Sequence, residues 1–166
     1  MSKIDGRFCY EQAPWIGWAG LCYGLDRRLV DARAVVDFAK LNLSEKSVPE
    51  EYDLAICDPS DELEVYHALA TLRRDQPDDT IFIKKAWIFL LLKDLYERRS
   101  GVPNPFSCVE EIYADFDYPD FMNPIIHYMP VQDGELTGEG EILRKWEDLI
   151  SRLQDDLTCG GSKVCL

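Results

Sequence analysis

The chain has 166 residues, 46% of them hydrophobic and 30% charged, with a formal net charge of −13. That length can bury a real core as one domain, and that apolar content excludes global disorder. The negative balance excludes the basic footprint of a nucleic-acid binder and suits an acidic protein with a cationic partner.

Residues 1–12 carry little pattern, although Phe8 and Tyr10 can dock on a core. Pro14 can open a helix as its first residue. Trp15, Trp18, Ala19, Cys22 and Tyr23 follow at helical spacing, and Gly24 is read as its end. Gly17 and Gly20 weaken this helix by about 1 kcal/mol each, or admit a close backbone neighbour. Asp31 caps a helix from Ala32 to Leu43 with Val35, Phe38 and Ala39 on one face. Pro49 to Asp58 forms a short helix with Tyr52, Ala55 and Ile56 inward. Ser60 caps a helix over 61–75, with Leu63, Tyr66 and Ala70 on one side and Val65, Leu69 and Leu72 beside them.

The strongest signal is the stretch from Asp79 to Arg99. Asp79 or Thr80 can cap it, Lys93, Arg98 and Arg99 suit its C-terminal end, and Gly101 and Pro103 stop it. Its apolar positions leave almost no polar stripe, which marks a helix buried on several sides. The unbroken run from Ala86 to Leu92 is far short of the about 20 residues that span a bilayer. A short strand over Ile81–Phe82–Ile83 is the competing local reading. Asn104–Pro105 starts the next helix, which carries Val109, Ile112, Tyr113 and Phe116 and is limited by Pro119. A short helix over about 120–128 holds Pro124 in its first turn or is kinked by it. Residues 131–140 read as loop, and Glu141 to Leu157 as an amphipathic helix through Ile142, Trp146, Leu149 and Leu153. The expected fold is all-α, a single domain over 1–157 with about seven to eight helices around the buried 80–99 helix. Residues 158–166 are expected to form a loose tail.

Chemistry-bearing residues are sparse. The two histidines, His67 and His127, belong to no zinc-ligand spacing, and no phosphate-cradling glycine loop or nucleophile elbow occurs. The six cysteines contain no C-x-x-C pair and read as free, mostly buried thiols. Glu111 and Asp115 share a helix face, a pair more often solvated than catalytic. No cofactor or metal is expected, and the N-terminus shows no signal-peptide pattern, so a cytoplasmic location is expected.

Charge is segregated. Residues 45–79 hold 11 acidic and 3 basic side chains, and residues 110–148 hold 11 and 2, on an otherwise mildly basic chain. Such a field speeds association with a cationic partner and selects among partners.

The stretches Asn104–Pro105–Phe106, Val109–Glu110–Glu111–Ile112–Tyr113–Ala114–Asp115–Phe116–Asp117–Tyr118–Pro119 and Tyr128–Met129–Pro130 resemble a bacterial family carrying a domain-of-unknown-function label. That family looks related to immunity proteins of polymorphic toxin and contact-dependent inhibition systems. Lys85–Ala86–Trp87 and Leu91 to Tyr96 look like the same pattern, whereas Pro124 and His127 depart from it. The resemblance implies a protein that binds a cognate toxin domain, such as a basic nuclease, and blocks its cleft. A monomer or weak dimer is expected in the free state. The first acidic block is the expected docking face: Glu50, Glu51, Asp53, Asp58, Asp61, Glu62 and Glu64. Asp117 and Asp120, beside Pro119, are the second choice. The runner-up is an enzyme using Cys108, His127 and Glu111, and a third reading is a structural or adaptor helical protein.

Overall fold

A computed structural model of the chain describes residues 2–127 and 138–161. Among the described residues all regular structure is helical. The α-helices are α1 (Gly6–Gln12), α2 (Gly17–Asp26), α3 (Ala32–Asn42), α4 (Pro49–Ala55), α5 (Glu62–Arg73), α6 (Thr80–Arg98), α7 (Pro105–Asp115) and α8 (Glu139–Gly161). Two 3₁₀ helices, Arg99–Gly101 and Asp120–Ile125, complete the set. The chain divides into two compact units, residues 1–90 and 91–166, and the division falls within α6.

Helix α6 is the buried post that its composition requires. Every residue from Ala86 to Leu92 is buried, with Trp87, Phe89, Leu90 and Leu92 fully so. Asp79 starts it by accepting the Phe82 amide at 3.1 Å, and Ile81 to Ile83 are helical, not strand.

In the first unit, α6 is fitted to α2. The indole Nε1–H of Trp87 donates to the Gly20 carbonyl at 2.8 Å, deep in the core. A Cβ on Gly24 would overlap the six-membered ring of Trp87. Gly24 therefore lies inside α2 as the space the indole occupies, not at its end, and the helix continues to Asp26. The other end of α2 also departs from expectation. Pro14 lies in a turn, and the helix begins at Gly17, whose φ is +75°. Its N-cap residue, Ile16, has no polar side chain. Gln76, from the turn after α5, reaches in instead: its Oε1 accepts the amides of Trp18 at 2.8 Å and Ala19 at 3.2 Å. Two of the unpaired donors of a helix start are thus satisfied from 57 and 58 residues away.

Helix α2 ends in a Schellman arrangement. The Leu29 amide donates to the Gly24 carbonyl at 2.8 Å and the Arg28 amide to Leu25 at 3.1 Å, with Arg28 left-handed at φ 59°. Helix α1 was not legible as a helix, yet Asp5 caps it by accepting the Phe8 amide at 2.9 Å. Its Tyr10 docks edge-on against Phe38 of α3, with ring centroids 5.5 Å apart. Helix α3 has the expected bounds to within a residue, capped by Asp31 through the Ala34 amide.

Helices α4 and α5 correct the expected faces. Leu54 and Ala55 are buried on α4, while Tyr52 and Ile56 are exposed. On α5, Val65 and Leu69 are buried, while Leu63 and Tyr66 are exposed. Both helices have apolar residues pointing in more than one direction, and the packing partners α3, α4 and α2 select one direction for each. The cap of α5 is Asp61, through the Glu64 amide at 3.1 Å; Ser60 bonds Asp58 instead.

In the second unit, Asn104 caps α7 through the Ser107 amide, with Pro105 at its first position. Val109, Ile112, Tyr113 and Phe116 are buried as expected. Glu110 is half-buried, not solvent-facing. The helix closes with a second Schellman arrangement: the Tyr118 amide donates to Tyr113 at 2.8 Å and the Asp117 amide to Ala114 at 3.3 Å. Asp117 and Tyr118 are both left-handed, at φ 65° and 56°. Pro124 has no amide proton to donate, and the segment around it is a six-residue 3₁₀ helix that stops at Ile125, short of the expected 128. Trp146 of α8 donates its Nε1–H to the Leu92 carbonyl at 3.2 Å and packs edge-on against Tyr96. Helix α8 begins two residues earlier than expected and runs through Gly161, so residues 158–161 are helix and not tail. The motif residues Tyr128–Met129–Pro130, the loop over 131–137 and the tail residues 162–166 lie outside the described residues.

Three stability measurements check this architecture. Alanine is a better helix former than glycine by about 1 kcal/mol, yet Gly24→Ala should lower the unfolding free energy by about 1–3 kcal/mol, because its methyl meets the Trp87 ring. Arg28→Gly should raise it by about 1 kcal/mol, because glycine takes the left-handed C′ position without steric cost. Leu91→Ala should cost about 2–5 kcal/mol at its buried site. Urea denaturation of the three variants reads all three signs.

Candidate functional site

An open groove of about 500 Å³ runs between α4 and α5 in the first unit. Helical spacing builds it. Glu50, Asp53 and Cys57 recur at three and four residues along one flank of α4 and just past its end. Asp61, Glu64, Ala68 and Thr71 recur in the same way along one flank of α5, with Leu63 and His67 at its outer edge. Four of the seven carboxylates in the expected docking face therefore line one groove: Glu50, Asp53, Asp61 and Glu64.

The seven carboxylates differ in what they do for the fold. Glu51 reaches back to accept the Val48 amide at 2.9 Å, which closes the first turn of α4. Asp58 accepts both the hydroxyl of Ser60 at 2.7 Å and its amide at 2.9 Å, and these bonds hold its carboxyl below the ordinary carboxylate range. Asp61 caps α5. Among the described residues, the carboxylates of Glu50, Asp53, Glu62 and Glu64 take no hydrogen bond or ion pair and serve no cap. They are exposed, and a negative charge in that state is available to another molecule.

Cys57 reports the field inside the groove. It is 7% exposed, and its Sγ–H donates to the Asp53 carbonyl at 3.2 Å. Burial pushes its thiol pKa up, and the charges of Glu64, Asp53 and Asp61 push it the same way. A thiol so placed stays protonated and is a poor nucleophile. Burial is the larger cause of that rise; the same carboxylate charges that add to it also attract cations.

The same region carries a run of exposed apolar side chains. Of eight exposed large hydrophobic side chains among the described residues, five lie between 48 and 66: Val48, Tyr52, Ile56, Leu63 and Tyr66. Val48, Tyr52 and Ile56 make a stripe on α4 at four-residue spacing, on a flank away from the groove, with Ile56 80% exposed. Leu63, 66% exposed, stands on the groove itself. Sequence reasoning placed four of these five, Tyr52, Ile56, Leu63 and Tyr66, on the packing faces of their helices. The signal that could have corrected it is that Glu64, His67, Ala68 and Thr71 share the α5 flank opposed to a fully apolar packing.

The second-choice carboxylates lie in the second unit. Asp117 occupies the left-handed C′ position of α7, and Asp120 opens the 3₁₀ helix; both are exposed. The residues of the enzyme reading are not joined. The His127 ring lies 6.1 Å from that of Phe106, Glu111 is exposed, and no hydrogen bond links Cys108, His127 and Glu111 among the described residues. Among the described residues no group of three or more His, Cys, Asp or Glu side chains is placed to hold a metal ion. No described helix is long and apolar enough to cross a membrane.

No curated protein and no solved structure matches the chain. A family model matches residues 8–153, which takes in the α4–α5 groove, the buried α6 and the whole of α7. The chain belongs to the family described as an uncharacterized protein conserved in bacteria, DUF2247.

Proposed function

We propose that this protein is an immunity protein: it binds a cognate toxin domain in the bacterial cytoplasm and neutralises it by covering a basic nuclease cleft. The observation that carries this reading is the α4–α5 groove, where Glu50, Asp53 and Glu64, which take no hydrogen bond or ion pair among the described residues, stand beside the exposed Leu63, with exposed Tyr52 and Ile56 on another flank of α4. Charge of this kind sets the encounter rate and the choice of partner. Exposed aromatic and aliphatic side chains supply the desolvated anchors that hold a complex together. Residues 85–130 resemble a family that looks related to immunity proteins, and that relation suggests the class of the partner.

The structure refines which substitutions are informative. Reversing Glu51, Asp58 or Asp61 would remove a cap or turn along with the charge. Glu50, Asp53, Glu62 and Glu64 can be changed to lysine together without touching a bond the fold uses. That quadruple variant should keep its helical circular dichroism and lose protection of cells expressing the toxin domain encoded beside it. For the unaltered protein, association should slow as salt shortens the Debye length from about 10 Å towards about 3 Å. Full protection by the folded quadruple variant would remove this face from the interface. Failure of the unaltered protein to bind any adjacent toxin domain would overturn the immunity reading itself.

A further inference from the structure

The groove has apolar walls as well as charge, and together they restrict what can occupy it. None of its lining residues is lysine or arginine, so nothing lining the groove neutralises Glu50, Asp53, Asp61 and Glu64. A neutral apolar ligand would strip water from those carboxylates without replacing its hydrogen bonds, which is costly. A second copy of this chain would bring another −13 of charge against the same face. A bare metal ion would leave Leu63 and Ala68 uncovered, and no three ligating side chains converge among the described residues. A long cationic side chain meets both demands. Its methylene stem covers apolar surface while its head stays among carboxylates. Arginine does so best, because its planar guanidinium offers five donors in a fixed fork and can serve several carboxylates at once.

We propose that the α4–α5 groove receives arginine side chains from a basic segment of a partner protein, with their stems on Leu63 and Ala68 and their heads among Glu50, Asp53 and Glu64. The volume of about 500 Å³ suits a short segment carrying more than one such side chain, not a single ion. Asp61 adds charge while remaining committed to the α5 cap. The inference rests on the docking-face reading above and names the chemistry of the partner segment that enters.

The test uses the full chain and a short synthetic peptide with two arginines flanked by leucine and alanine, followed by amide NMR shifts at low salt. Shifts should be saturable and concentrated in residues 50–57 and 61–71. Replacing the arginines by citrulline, which keeps their shape and removes their charge, should weaken binding at least about tenfold, as should the triple variant Glu50→Gln, Asp53→Gln, Glu64→Gln. Leu63→Ser should weaken it about threefold through loss of stem packing. Equal binding of the citrulline peptide, or by the triple variant, overturns the proposal. Shifts of equal size at Asp115–Asp120 or along α8 overturn it in favour of unspecific charge attraction. Displacement of the peptide by spermidine at lower concentration overturns it in favour of a polyamine site. Peptide binding in the groove without protection against any toxin would sustain this inference and remove the immunity reading; protection without peptide binding would do the reverse.

Discussion

The indole of Trp87 against the glycine face of α2 is the contact on which the first unit depends. One hydrogen bond, from Nε1–H to the Gly20 carbonyl, fixes where the ring sits. The missing side chain of Gly24 gives it room. Three glycines in ten residues make α2 a poor helix on local grounds, each one costing about 1 kcal/mol against alanine. Tertiary contacts compensate. The long buried α6 supplies the packing surface, and the Gln76 side chain supplies the cap that Ile16 cannot. Helix α2 is thus sustained by residues nearly 60 positions later, so its formation and that of the core are one event.

This explains which parts of the fold could be read in advance. Helices α3, α6 and α7 carry their own instructions: Asp31, Asp79 and Asn104 as caps, Pro105 at the first position, and apolar residues sustained at helical spacing. The instructions for α2 are held elsewhere. Gly24 looks like a terminator until Trp87 is seen to need its space, and Pro14 looks like a helix start until Gln76 is seen to cap three residues further on. The true ends of α2 and α7 place arginine and aspartate where glycine is usual, so neither end carries its usual residue. Helices α4 and α5 carry apolar residues on more than one flank, and only their neighbours decide that Leu54 and Leu69 go in while Ile56 and Leu63 stay out.

The candidate site was legible as charge and not as shape. Counting acidic residues finds the block from 45 to 79, but a count cannot separate Asp61, which holds the start of α5, from Glu64, which holds nothing. Local hydrogen bonding makes that separation. Glu51, Asp58 and Asp61 hold local turns and caps, Asp61 from the groove wall itself, whereas Glu50, Asp53 and Glu64 line the groove and Glu62 stands outside it without a hydrogen bond among the described residues. The first three hold local structure by hydrogen bonds, while Glu50, Glu62 and Glu64 contribute to folding only through their charge in the first turns of α4 and α5, and Asp53 makes no such contact among the described residues. Most surface substitutions away from caps and cores cost little stability.

The tryptophans have an optical consequence. Of four indoles, Trp15, Trp18 and Trp87 lie in the first unit and Trp146 alone in the second. Trp87 and Trp146 are both fully shielded from water, and each donates to a backbone carbonyl. Intrinsic emission is therefore a sum of two separable signals. Subtracting the spectrum of a chain lacking only the fourth indole isolates the light that belongs to residues 91–166. Whether the two halves of this chain lose their structure in one transition or two becomes visible without any attached dye.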